Sequence, residues 1–154
     1  MNNIHGTCVG FDRFGILLRG ASGSGKSSLA LRLIDAEGFG SGQRKLRARL
    51  VADDQVMLQN KGSALVASPP ASLAGKLEIR GLGIVKLDYL KVVELRLVVD
   101  LVSYKSIPRL PNPVDAQVEL MSVMLPRLAL DAHGADAAAK LRAAVVHLTS
   151  NTAF

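Results

Sequence analysis

A single cysteine, Cys8, leaves no partner for an internal disulfide and excludes a cysteine-built zinc site. Within the strand-like run from Gly6 to Phe11 it reads as a small buried hydrophobe. A reducing cytoplasm is therefore the expected compartment. No apolar run approaches the roughly eighteen residues a membrane span needs, so no membrane association is expected. The start lacks the basic-then-apolar pattern of a secretory signal. Tryptophan is absent, with two tyrosines and four phenylalanines. Stacking platforms for single-stranded nucleic acid are thus missing, and nucleic acid is not an expected partner. Acidic residues number 13 against 19 basic ones, giving a net charge of +6 that favours acidic partners. Part of the excess lies in Arg44, Lys45, Arg47 and Arg49. With 49% apolar and 21% charged residues, the chain has the composition of a globular protein. Neither a repeat nor a linker divides it, and one domain over residues 1–154 is expected.

What the chain does contain is a glycine-rich segment, Gly20-Ala21-Ser22-Gly23-Ser24-Gly25-Lys26-Ser27, with the spacing G-x-x-x-x-G-K-[ST]. The glycines let successive backbone N–H groups curl around a phosphate, the lysine reaches the outer phosphates, and the serine hydroxyl faces a magnesium ion. The apolar run Phe14 to Arg19 precedes it as a strand. From Ser28 onward, Leu29, Leu33 and Ile34 recur at helical spacing. Strand, loop, helix is the order such a device needs, because the helix N-terminus adds partial positive charge. Residues Gly20 to Ser28 are the predicted nucleotide contacts.

The helix is expected to end near Ala36, and Glu37 to Gln43, with three glycines, to form a mobile loop. Strand patterns follow at Ala48–Ala52, Gln55–Gln59, Ala64–Ala67, Leu77–Ile79 and Ile84–Leu87. Val92 to Val102 alternates only partly, is rich in β-branched residues, and reads as a central strand. Pro108, Pro111 and Pro113 impose an irregular segment. Val114 to Leu125 is expected to add further strand, and Ala135 to Leu148 a helix. One early helix, many strands and one late helix make an α/β architecture with a mixed, largely antiparallel sheet.

A nucleotide loop becomes a kinase only when something orients and deprotonates an acceptor. Asp53 and Asp54 follow the apolar run Arg49-Leu50-Val51-Ala52, at the end of a strand where α/β sheets hold their ligands. Adjacent residues on an extended chain point to opposite faces, so one could serve magnesium and the other an acceptor. The same pair also suits an ordinary turn. In Leu77-Glu78-Ile79-Arg80-Gly81-Leu82-Gly83-Ile84-Val85, Glu78 and Arg80 share one strand face, which could equally be a salt-bridged edge.

Four blocks together resemble the catalytic, C-terminal domain of the bacterial HPr kinase/phosphorylase family. They are His5-Gly6 ahead of the strand, the glycine loop, Arg49-Leu50-Val51-Ala52-Asp53-Asp54-Gln55-Val56, and Leu77 to Val85, similar to the family's L-E-I-R-G-L-G-I-I. The resemblance spans roughly residues 5–110. It implies a phosphate-loop kinase core of the PEP-carboxykinase-like kind, with ATP and Mg²⁺ as cofactors. Its implied roles are Lys26 on the transferring phosphoryl group, Ser27 and Glu78 on magnesium with Asp53 assisting, Asp54 as general base, and His5 as its catalytic neighbour. Arg109, in Ile107-Pro108-Arg109-Leu110, matches a catalytic arginine. The implied activity is phosphorylation of a serine on an HPr-like phosphocarrier by a homo-oligomer, hexameric in the family.

The chain departs from that pattern in three places. It resembles the short forms that lack the N-terminal domain. The stretch Glu37 to Arg47 lengthens the connection after the loop helix. Met121 to Arg127 does not match the G-R-N-[LF]-A motif tied to dephosphorylation, so the kinase direction is better supported than reverse phosphorolysis. Two other readings keep the glycine loop: a nucleotide-binding regulatory module without transfer, and a small-molecule kinase.

Overall fold

The computed structural model describes residues 1–151. Eleven strands and two α-helices follow the chain: β1 Asn2–His5, β2 Thr7–Phe11, β3 Phe14–Arg19, α1 Lys26–Asp35, β4 Arg49–Ala52, β5 Gln55–Lys61, β6 Ala64–Ser68, β7 Lys76–Ile79, β8 Gly83–Lys86, β9 Val93–Leu101, β10 Gln117–Leu120, β11 Val123–Leu130 and α2 Ala137–Asn151. Nine strands form one mixed sheet in the order β1-β5-β6-β9-β3-β2-β4, with the β10–β11 hairpin joined through β11 to β9. β7 and β8 make a separate hairpin. Among the named strands of the described residues, β3 with β9 and β9 with β11 pair in parallel and the other pairs are antiparallel. The fold is mixed α/β.

The sheet separates two apolar clusters. One face carries Ile16, Leu18, Leu97 and Val99 against Leu29 and Leu33 of α1 and Leu141 and Val145 of α2. The other buries Leu17, Leu95 and Val98 with Val56, Leu58 and Leu65. Burying a leucine of this kind stabilises the fold by about 1.5–3 kcal/mol. The partial alternation of β9 has a local cause. Gly15 pairs with Leu95 but Ile16 pairs with Leu97, so Arg96 is an extra residue in the ladder. That bulge moves the inward positions from Val93 and Leu95 on one face to Leu97, Val99 and Leu101 on the other. Gly15 is required there, since a β-carbon would lie 2.6 Å from the Glu94 carbonyl oxygen.

Several elements differ from the sequence expectation. β1 precedes the first expected strand and pairs with β5, His5 facing Gln55. The expected strand over Val114–Leu125 is a hairpin whose second arm runs on to Leu130, where β9 pairs with it. Glu37–Gln43 is not loose: Gly38 and Leu46 exchange two backbone hydrogen bonds, of 3.1 and 2.7 Å. The buried Arg142 of α2 donates to the Ala36 carbonyl. Among the described residues no helix is long and apolar enough to cross a membrane.

Candidate active site

At the carboxyl end of β3 the chain enters the glycine loop. Arg19, the last strand residue, donates to Asp100 of β9 over 2.8 and 2.9 Å, and Arg127 of β11 donates to the same carboxylate. Burial alone would raise the Asp100 carboxyl; the hydrogen bonds from the two guanidinium groups outweigh it and hold the group below the ordinary carboxylate value. Three neighbouring strands are thereby fixed at the level where the loop begins. On β2, burial pushes the Cys8 thiol up to about 12, so it stays protonated and acts as an apolar filler.

Within the loop, Gly23 and Gly25 adopt φ of 83° and 96°, the left-handed region that glycine enters at least cost. The Ser24 N–H donates to Ala21 over 3.0 Å and the Leu29 N–H to Gly25 over 2.9 Å, which closes the loop into the first turn of α1. Lys26 is buried, and its ammonium is held by the carbonyls of Gly20 and Ala21 at 2.8 and 3.1 Å. Ser24 Oγ is buried with no hydrogen-bond partner. An unpaired hydroxyl beside a caged ammonium at a helix N-terminus fits a phosphate group. Ala21, Ser22 and Gly23 form the exposed lip, and Ser28 lies on the exposed face of the first helical turn.

β4 delivers the two aspartates into different surroundings. Asp53 is 6% exposed. Its Oδ1 accepts from Ser27 Oγ over 2.9 Å and from Thr7 Oγ1 over 2.8 Å, and its Oδ2 accepts from the Glu78 N–H over 3.2 Å. Asp54 has φ of 71°, so the two part at a turn rather than by strand alternation. Its carboxylate stands exposed in the cleft, 3.6 Å from His5 Nδ1. β1 supplies that histidine through its pairing with β5, and the Gly6 N–H donates to the Asp54 carbonyl over 3.1 Å.

The β7–β8 hairpin covers the far wall. Buried Leu77 anchors it, and the Glu78 and Arg80 side chains line a cleft of about 430 Å³ with His5, Asp54 and Lys26. Oxygen donors on Ser27, Asp53 and Glu78 suit a hard divalent cation. No group of three His, Cys, Asp or Glu residues among those described could cage a metal alone.

Of the residues singled out in the sequence, the cleft brings together His5, Ser22, Gly23, Gly25, Lys26, Ser27, Ser28, Asp53, Asp54 and Glu78. Arg109 is not among them; it is exposed on the irregular connection between β9 and β10. Thr7, Arg80 and His133 also line the cleft and had no assigned role. His133 carried no signal in the sequence, because the strand that leads to it was expected to end at Leu125 and runs to Leu130.

Comparison with known proteins identifies the family and the fold. The family model described as HPr Serine kinase C-terminal domain matches residues 1–152. An HPr kinase/phosphorylase of Clostridium acetobutylicum is 44% identical over 82 residues, 53% of this chain and 24% of that protein. One from Enterococcus faecalis is 34% identical over 137 residues, 82% of this chain and 40% of that protein. The chain thus spans well under half the length of these curated relatives. The solved structure of the Hpr(Ser) kinase/phosphatase from Coxiella burnetii superimposes with a TM-score of 0.76 at 24% identity, over 98% of this chain and 92% of that one. That likeness establishes a shared fold.

Proposed function

The chain belongs to the HPr serine kinase C-terminal domain family, and from that premise we propose that it transfers the γ-phosphoryl group of ATP to a serine of an HPr-like phosphocarrier. The observation that carries this reading is the division of labour at the end of β4. Asp53 is buried against Ser27 of the glycine loop, while Asp54 stands exposed beside His5.

The loop from Gly20 to Ser28 holds the donor phosphates, as the core of a phosphate-loop kinase of the PEP-carboxykinase-like kind. Lys26 offsets charge on the group in transfer. Ser27 and Asp53, with Glu78 facing them, would hold Mg²⁺, which when bound neutralises charge between the donor's outer phosphates. Asp54 accepts the proton of the acceptor serine hydroxyl as its oxygen bonds to the γ-phosphorus and the bond to the bridging oxygen breaks, releasing ADP. His5, 3.6 Å away, orients that carboxylate. Arg109, on the exposed connection between β9 and β10, lies outside the lining of this cleft and is assigned no step.

A protein acceptor is favoured over a small metabolite by exposed apolar surface on the hairpin that borders the cleft. At the hairpin tip Leu82 and Ile84 are 70% and 68% exposed, apolar surface of the kind used in protein docking. The lone, buried Cys8 agrees with work in a reducing cytoplasm. The test is the intact mass of an HPr-like carrier after incubation with the protein, ATP and Mg²⁺. A gain of one phosphoryl group is expected. No gain despite measurable ATP binding would favour a regulatory module.

A further inference from the structure

At the edge of the sheet where β11, β9, β3 and β4 end and the antiparallel β2 begins, the order is β11-β9-β3-β2-β4. The glycine loop leaves the central strand of these five. Asp53 and Asp54 leave β4 on one flank, and residues 131–134 leave β11 on the other. A donor whose terminal phosphate faces Asp54 and whose other phosphates cross the glycine loop is directed toward the β11 flank. The cleft wall on that side is the imidazole of His133. A β-carbon placed on Gly25 would come within 3.6 Å of His133 Cε1 and 4.0 Å of its Nε2, so the ring edge borders the phosphate loop.

The segment that carries this ring is held by its own turn and by two neighbouring parts of the chain. Asp131 Oδ1 accepts from the His133 N–H over 2.9 Å, and its Oδ2 accepts from the Tyr104 N–H beyond β9 over 3.0 Å. Arg32 of α1, the helix that follows the glycine loop, donates to the carbonyls of Ala132 and Gly134. Such bracing fixes the backbone that carries the ring relative to the loop and lowers the ordering cost of binding against it.

We propose that His133 is the nucleoside subsite of the donor site: the base of ATP stacks on its imidazole, and this contact favours ATP over inorganic polyphosphates. The inference rests on the reading of the glycine loop as the donor site.

The test is calorimetric titration of the full chain with ATP and with inorganic tripolyphosphate, both with Mg²⁺, in the unaltered protein, His133→Ala and His133→Phe. His133→Ala is expected to weaken ATP roughly fivefold or more, the worth of one base stacked on a ring, and to leave tripolyphosphate unchanged. His133→Phe, which keeps a flat ring, is expected to retain the preference for ATP. Equal weakening of both ligands in His133→Ala would mean the residue acts only through loop structure and would overturn the proposal. An unchanged ATP affinity in His133→Ala, or its loss in His133→Phe, would overturn it too. If the unaltered protein binds tripolyphosphate as tightly as ATP, the nucleoside subsite is wrong while the phosphate site stands. Binding of neither would remove the donor site itself.

Discussion

The Ser27 hydroxyl donates to Asp53 Oδ1 over 2.9 Å, joining the first turn of α1 to the end of β4. Because Asp53 also accepts from Thr7 and from the Glu78 backbone, one buried carboxylate ties together the glycine loop, β2 and the β7–β8 hairpin. The group that would complete a cation site is thus also a structural node.

Asp53→Asn should therefore affect stability and magnesium dependence together. The amide presents N–H groups where at least one donor now points, leaving a buried polar group unpaired at a cost of about 1–3 kcal/mol. Urea denaturation should report that loss, and ATP binding should lose its response to Mg²⁺. A variant of unchanged stability would contradict the hydrogen-bond network described.

Two loop glycines should differ in cost. Gly25→Ala meets both the left-handed backbone and a β-carbon contact of 3.0 Å with Ala132, whereas Gly23→Ala meets the backbone cost alone, with open space around it. A left-handed alanine costs about 1 kcal/mol or more, so both variants unfold at lower urea and Gly25→Ala at the lower of the two. Equal midpoints would argue against the packing of residues 131–134 on the loop.

Acid should expose the Asp100 network. The carboxyl lies below its ordinary value of 3.8 in the fold because Arg19 and Arg127 outweigh the burial that would raise it. Its stabilising contribution is complete above that value and is lost as pH falls below it toward the lowered one. Urea midpoints measured from pH 6 down to about pH 2 should fall more steeply in the natural protein than in Asp100→Asn, which has no proton to gain there. Parallel curves would show that the pair of arginines does not hold Asp100 ionised.

The parts legible in the sequence were those set by local spacing. Strand, glycine loop and helix over residues 14–35 follow from the G-x-x-x-x-G-K-S spacing and the apolar recurrence after it. What escaped depends on distant partners. Asn2–His5 is polar, and becomes a strand only through the free edge of β5. The tight turn at Met121-Ser122, with φ of 48° and 67°, carries no glycine or asparagine to announce it. Three glycines made 37–43 look loose, yet Gly40 sits where a β-carbon would lie 2.5 Å from the Ala143 nitrogen, a close approach to α2 that only glycine permits. His133 belongs to no motif, and enters the cleft because β11 pairs in parallel with β9.

The most direct test is transfer from γ-labelled ATP to an HPr-like carrier by the natural protein and by Asp54→Asn, with ATP affinity measured for both. Asp54 stands exposed beside His5 and holds none of the described network around Asp53, so its amide should leave folding and ATP binding intact. Loss of a general base costs about a hundredfold or more in transfer rate. The account predicts label on a carrier serine with the natural protein, and that loss in the variant at unchanged ATP affinity. Near-normal transfer by Asp54→Asn, or label on a residue other than serine, would contradict it.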